Sequence, residues 1–259
     1  MITKSIINKV GLEAEVLIRS KKNELVIPSD YNLPCDDFIV LGEIRAPAKD
    51  NIPDTLYAFM KEFYMFNKSL EYFNFHTDIE KGWATISPED YTNILRKMGS
   101  KEIATCKNIY KNVDILKLTD ANVSDGKILS HNISTGLHIH FSSDIVVHNI
   151  YHVPDMYQVK NNLFVHSAQD KRFDEETKIY SLLTNNAIRS IISAFDKDIF
   201  PKYNIENVTL KYRKPGFYEE KSWGFEYRSL PFNQLVYDNL TEIVEYAFNR
   251  LDKLSKVLV

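Results

Sequence analysis

Four short stretches of this chain repeat one pattern, a polar residue, an apolar one and a polar one, each inside an otherwise strand-like run. They are Glu13-Ala14-Glu15, Glu43-Ile44-Arg45, His138-Ile139-His140 and Glu226-Tyr227-Arg228. Successive side chains of a strand point to opposite faces, so the outer two residues of each triplet share a face and the middle one lies on the other. If the four strands lie in one sheet, eight ionisable side chains converge on a single surface. Four carboxylates, two imidazoles and two guanidiniums would make a poor core, because clustered carboxylates repel and each resists desolvation. Such a face calls for a cation and an anion to neutralise it. Singly, each pair has an ordinary explanation: E-x-E is commonly a solvated strand face, E-x-R a same-face ion pair, and H-x-H two hydrogen-bonded surface imidazoles.

The surrounding sequence supplies the strands. "GLEAEVLIRS" (11–20) alternates Leu12, Ala14, Val16 and Ile18 against Glu13, Glu15, Leu17 and Arg19. "FIVLGEIRA" (38–46), closed by Pro47, is a second strand candidate. In "GLHIHFSSD" (136–144), Leu137, Ile139 and Phe141 share one face while His138, His140 and Ser142 share the other. Between them, "PDTLYAFMKEFYMFNKSL" places Leu56, Phe59, Met60, Phe63 and Leu70 near helical spacing with Pro53 suited to a first turn, which predicts a core helix. "SPEDYTNILRKMG" predicts a shorter helix with Ser87 as N-cap, Pro88 at the first helical position and Gly99 as its stop. Short strands or a loop are expected over 107–130, with a turn at "SDGK". "DEETKIYSLLTNNAIRSIISAF" opens on Asp174 and repeats Ile179, Leu182, Leu183, Ile188, Ile191, Ile192 and Phe195, which predicts one amphipathic helix. Strands are expected at 208–213 and 224–230 and a final helix over 234–258. Strands and helices mix without a βαβ rhythm, so the expected fold is α+β with a largely antiparallel sheet, in a single domain over 1–259.

Composition narrows the function classes. With 259 residues, 44% of them hydrophobic and 26% charged, the chain can bury a sizeable core. A formal net charge of -3 offers no basic field to neutralise phosphates, so a nucleic-acid partner is not expected. Cys35 and Cys106 form no C-x-x-C, which fits a reducing compartment and argues against structural zinc. The start "MITKSIINKVGLEAE" lacks the apolar core of a leader, and no run approaches the roughly 18 apolar residues of a membrane span. The expectation is a soluble, cytoplasmic protein with no membrane partner.

Magnesium and ATP would neutralise the polar face. Hard divalent ions take carboxylate oxygens and bridge to phosphates, and arginine forks match phosphate geometry. One imidazole among carboxylates suits magnesium or manganese, whereas zinc more often takes three or four His or Cys ligands.

These residues also carry a resemblance. "GLEAE", "DDFIVLGEIRAP", "GLHIHFS" and "YRKPGFYEEKSWGFEYRSLP", in this order from Gly11 to about Pro231, resemble the motif series of the glutamine synthetase-like carboxylate-amine ligases, in particular the phage-type amidoligase branch (COOH-NH2 ligase type 2). The resemblance implies a dish-shaped, curved antiparallel sheet with helices on its outer face as the floor of the site. It implies Glu13, Glu15, Glu43, His138 and Glu226 as metal ligands, with Asp36 at an earlier acidic position. It implies His140 near the nucleotide, and Arg213, Arg228 and Lys221 on its phosphates, with Arg213, Arg228 and Glu43 counted as catalytic. Where this branch carries a second basic residue just before Lys221, the chain has Glu219 or Glu220. The implied reaction is ATP-dependent amide formation through an acyl phosphate, joining a carboxylate to an amine on an amino acid, peptide, peptidoglycan peptide or protein. If the protein is phage-encoded, its compartment is the host cytoplasm.

Two other readings fit parts of the pattern: a metal-dependent hydrolase using E-x-E and H-x-H to activate water, and a degenerate ligase fold kept as a peptide-binding module. Retention of every dyad disfavours degeneration, and Glu226-x-Arg228 suits phosphate better than hydrolysis alone. His76, His131, His148, His152 and His166 lack a same-strand polar partner and are expected in ordinary hydrogen-bonded roles. Trp83 is expected in packing, and Trp223, in the last block, is a candidate wall of a substrate or adenine pocket.

Overall fold

One long strand, β1 (Ile2–Ser20), organises the computed structural model. The structure describes residues 2–36, 40–97, 120–124, 127–153, 156–160, 163–166, 172–203, 213 and 215–258. After β1 come a 3₁₀ turn (Pro28–Tyr31), β2 (Gly42–Arg45), α1 (Ile52–Tyr72), β3 (Phe75–Asp78), β4 (Trp83–Ile86) and α2 (Pro88–Lys97). Then follow β5 (Asp120–Ser124), β6 (Lys127–Ser134), β7 (Gly136–Val153), β8 (Met156–Lys160), β9 (Leu163–His166) and β10 (Arg172–Ser181). The chain continues through α3 (Asn185–Asp198), α4 (Phe200–Tyr203), β11 (Tyr218–Lys221), β12 (Gly224–Leu230), α5 (Gln234–Asp238) and α6 (Leu240–Leu258).

The main sheet runs β11-β12-β7-β1-β2, with β10 also on β7 and β3 also on β1. Every pairing described in it is antiparallel. The two longest strands each serve two partners in succession. β1 takes β2 at Glu13 to Val16 and β3 at Leu17 to Ser20, while β7 takes β12 near Leu137 to Phe141 and β10 from Asp144 onward.

Period-two alternation gives this sheet one apolar face. Val10, Leu12, Ala14, Val16 and Ile18 of β1, Ile44 of β2, Leu137, Ile139 and Phe141 of β7, and Phe225 and Tyr227 of β12 are all buried there, against α1, α3 and α6. The Phe141 and Phe225 rings stack with centroids 4.7 Å apart. Each such side chain contributes roughly 1.5–3 kcal/mol on burial, so this face anchors the strands whose other face carries charge. On that other face, Leu17 is covered by a second cluster that includes Val40, Ala84, Ile86, Tyr91, Ile94 and Ile133, built from the β4-β6-β5 sheet and α2. Glu15 and Glu13 lie two and four residues before Leu17 on β1, beyond that cover.

Local signals explain most of the boundaries. Asn51 caps α1 by accepting from Asp54 N at 2.9 Å, and Pro53 sits in the first turn. Ser87 Oγ accepts from Asp90 N at 3.0 Å and starts α2. Strand 224–230 is found with the expected bounds. The expected strand over 11–20 extends back to Ile2, and that over 38–46 is reduced to Gly42–Arg45, with 37–39 outside the described residues. The final helix is divided in two at Asn239, which accepts no helical geometry (φ -113°, ψ 18°).

One expectation is corrected. The segment opening at Asp174 is not a helix throughout: residues up to Ser181 form β10, and the helix starts at Asn185, capped by Thr184, whose side chain accepts from Ala187 N. Beyond Asp144, β7 presents a ladder edge that β10 satisfies from Ser181 to Arg172, and Thr177, Ile179 and Tyr180 favour a strand. Ile179, counted in the helical stripe, is 66% exposed. The expected strand over 208–213, apart from Arg213, and the Gly99 stop fall outside the described residues. Among the described residues, no helix is long and apolar enough to cross a membrane.

Candidate metal and anion site

All four triplets lie in adjacent strands of the main sheet. The ladder sets Glu13 opposite both Arg45 and His138, Glu15 opposite Glu43 and Gly136, and His140 opposite Glu226. Strand β11 adds Glu219 opposite Glu226. The middle residues Ala14, Ile44, Ile139 and Tyr227 are in the apolar core. A row of charge therefore crosses five strands on one face.

His138 is the centre of this row and is fully buried. Its Nδ1 lies 3.0 Å from Glu13 Oε1 and 2.9 Å from Glu226 Oε1, tying β7 to both neighbours. Its Nε2 lies 3.0 Å from Arg213 Nη1. A guanidinium only donates, so Nε2 is the acceptor and the ring proton sits on Nδ1, shared by the two carboxylates. Burial and Arg228 lower the His138 pKa, but Glu15, Glu13 and Glu226 outweigh them and raise it. A second ring proton would nevertheless point at the Arg213 N–H, and the contacts are those of the neutral ring.

Arg213 lies beneath the carboxylates. Its Nε donates to Thr135 O at 3.0 Å, Nη1 to Arg228 O at 2.9 Å, and Nη2 to Glu15 Oε2. It reaches them by crossing Gly136, where a Cβ would lie 2.1 Å from Nη2. Only glycine leaves room for this crossing. Arg228 Nη1 donates to Glu226 Oε1 at 2.8 Å and Glu219 Oε2 at 3.1 Å. Lys221 Nζ stands 2.9 Å from Glu219 Oε1 and 3.2 Å from Glu226 Oε2. On the opposite flank, Arg45 donates through Nε to Glu13 Oε2 at 3.0 Å and through Nη2 to Glu43 Oε1 at 2.6 Å.

These neighbours split the carboxyl groups. Burial works to raise Glu13, but the His138 hydrogen bond, helped by Arg45, brings it down to about 2. Glu226 is likewise held well below the usual carboxylate range by the His138 hydrogen bond and the Arg228 charge against the effect of burial. Glu43 goes the other way, pushed up to about 8 by burial and by the Glu13 charge despite Arg45. Burial lowers the His140 pKa, although Glu226 and Glu13 oppose it.

His140 differs from its neighbours in one respect. Its Nε2 is buried and has no hydrogen-bond partner among the described residues, yet Glu13 Oε2 lies 3.7 Å away and Glu226 Oε2 3.8 Å away. One ligand atom from each of Glu13, His140 and Glu226 fits within 4.8 Å of the others. Two ionised oxygens and a neutral nitrogen lone pair facing one gap are a donor set for a hard or borderline divalent cation. The Trp223 ring, 44% exposed, stands 5.3 Å from the His140 ring at the rim.

The structure thus brings together Glu13, Glu15, Glu43, His138, His140, Arg213, Lys221, Glu226 and Arg228. It does not place them equivalently. His138, expected on metal, has both nitrogens engaged by protein groups, and His140 faces the gap instead. Arg213, expected on phosphate, is buried among backbone carbonyls and Glu15. Asp36 accepts from Leu41 N at 3.0 Å in its own loop. Two participants carry no role in the sequence reading. Arg45 is the last residue of its triplet and shares the face by period alone, and Glu219 alternates with Lys221 on β11. No protein-family model, curated protein or solved structure matches the chain.

Proposed function

We propose that the protein is an ATP- and magnesium-dependent carboxylate-amine ligase with a glutamine synthetase-like catalytic fold, forming an amide through an acyl phosphate. The observation that carries this reading is the buried, unpartnered His140 Nε2 between Glu13 and Glu226, on a face that also presents Arg228 and Lys221. The α+β architecture, with its antiparallel sheet backed by helices, supports it.

In this reading Glu13, Glu226 and His140 hold the divalent ion, Mg²⁺ or Mn²⁺. Their ligand atoms already lie within 4.8 Å of one another, and small side-chain rotations would bring them around such an ion. The ion with ATP supplies a phosphoryl group whose charge is already partly neutralised. Arg228 and Lys221, at the β11–β12 edge, meet the phosphate oxygens, and the arginine fork suits the transferring group because phosphoryl transfer depends mainly on positioning and electrostatics. His138 and Arg213 are positioning residues. His138 fixes Glu13 and Glu226 relative to each other, and Arg213 fixes Glu15 and the His138 tautomer. Glu43, pushed up to about 8, has an ionised form basic enough to take a proton from an ammonium as the pH nears that value.

The test is incubation with labelled ATP, magnesium and pooled metabolite or peptide fractions, following ADP and new amides by mass. Amine-dependent ADP release with a matching amide product is expected. Phosphate release that ignores added amine would select a hydrolase, and absence of any nucleotide turnover or binding would reject the proposal.

A further inference from the structure

Beside the charged row, β2, α1 and segment 32–35 enclose a groove of about 610 Å³. This is within the range of small-molecule sites, and it adjoins the row through Glu43 and Arg45, which line both. Leu33, Met65 and Phe66 give it apolar walls. Two charged groups in it are available to a ligand. Arg45 is 67% exposed and is held in place by Glu13 and Glu43 through Nε and Nη2, while its Nη1 has no partner among the described residues. Also lining the groove, on α1, the half-buried Glu62 makes no hydrogen bond or ion pair among the described residues.

A fixed guanidinium loses little freedom on binding a carboxylate and offers it a directional donor. A carboxylate without a partner among the described residues, lining the same groove, repels a plain anion and attracts an ammonium. A purely cationic ligand would meet Arg45, and a purely anionic one Glu62. A ligand with both charges satisfies the two walls together. We infer that the groove binds a zwitterionic, amino-acid-like ligand, its carboxylate on Arg45, its ammonium on Glu62 and its apolar side chain against Leu33, Met65 and Phe66. The ligase reading is needed only to make this ligand one of the two substrates.

Cys35 lines the same groove and is half-buried, so its alkylation reports occupancy. The experiment uses the full chain without nucleotide or metal, iodoacetamide as reagent, and peptide mass to read Cys35 apart from Cys106. L-norleucine should protect Cys35, while norleucinamide and N-acetylnorleucine, each lacking one charge, should protect about tenfold less well. In Glu62→Gln, the norleucine concentration giving half-protection should rise about tenfold and that for N-acetylnorleucine should stay unchanged. Met65→Trp, at a residue 55% exposed and so tolerant of size, should fill the groove and abolish norleucine protection. No protection by norleucine, equal protection by a single-charge analogue, or protection undiminished in Glu62→Gln overturns the assignment. None of these readouts involves ATP, so their failure removes the groove assignment alone, and the ligase reading stands or falls by ADP release.

Discussion

Glu43→Gln is expected to stabilise the metal-free protein at alkaline pH and leave it unchanged at acid pH. Glu43 is raised from 4.5 to about 8 by burial and by Glu13. Between those values the unfolded chain has lost the proton that the folded chain keeps, so stability falls as pH rises through the window. At about 1.36 kcal/mol for each pH unit, the ceiling of that loss is about 5 kcal/mol. Arg45 holds the ionised form in place once it appears, and the groove admits water to one side of the carboxyl. A loss of about 2 kcal/mol is therefore expected. Glutamine reproduces the protonated state: its amide can donate toward Glu13 and its oxygen can accept from Arg45. The assay is urea unfolding of wild type and variant in EDTA from pH 5 to pH 8.5. The curves should coincide near pH 5 and separate progressively above it, with the variant the more stable. Parallel stability profiles across the whole window would refute the protonated Glu43 and the proton-accepting role built on it.

His140→Ala should keep the fold but lose the magnesium-induced rise in melting temperature, whereas His138→Ala should cost about 1–3 kcal/mol by leaving Glu13 and Glu226 without their shared donor; equal effects in calorimetry would reject the division of roles. Gly136→Ala should destabilise by about 3–5 kcal/mol, because its Cβ would displace the Arg213 guanidinium from Glu15, and an unchanged urea midpoint would refute the crossing. Arg228→Lys, assayed as amine-dependent ADP production at saturating ATP, should lower turnover about 10²–10³-fold if the fork grips the transferring phosphoryl, and a variant within about threefold of wild type would leave Arg228 as a structural partner of Glu226. On the acid side, Glu13 and Glu226 have depressed pKa values, so their contribution is present above the unfolded value of 4.5 and is lost as pH falls toward about 2. An acid unfolding transition that does not shift in Glu13→Gln would contradict it.

Which residues share a face was readable because it depends only on the strand period. Glu13 with Glu15, and His138 with His140, needed no knowledge of neighbours. The same locality explains the failure at 174–181. Ile179, Leu182 and Leu183 fit a helical stripe, and nothing within that segment reveals that β7 runs to Val153 with an edge to be paired. Tertiary pairing overrode the local period. Strand order was hidden for a related reason: β12 joins β7 across some eighty residues of sequence, and its ladder slips between Tyr227 and Leu230, a bulge that no local pattern announces.

The roles within the row depend on a quantity that the period does not contain, namely what stands on each side of a residue. His138 and His140 occupy one face of one strand, yet His138 is opposite Glu13 and falls between two carboxylates with Arg213 behind it, while His140 is opposite Gly11 on one side and Glu226 on the other. Gly11 has no side chain to offer the imidazole, and the Cβ it lacks would lie 3.2 Å from Ala48 Cβ, so that flank carries no polar group and His140 Nε2 has no hydrogen-bond partner among the described residues. Arg213 comes from outside any described strand, so its arrival under Glu15 could be sensed only indirectly, through Gly136 at the ladder position that its guanidinium crosses. The two glycines, one offering no polar group to the histidine that faces the gap and the other admitting the arginine that fixes the histidine that does not, divide a symmetric dyad into a ligand and a positioning residue.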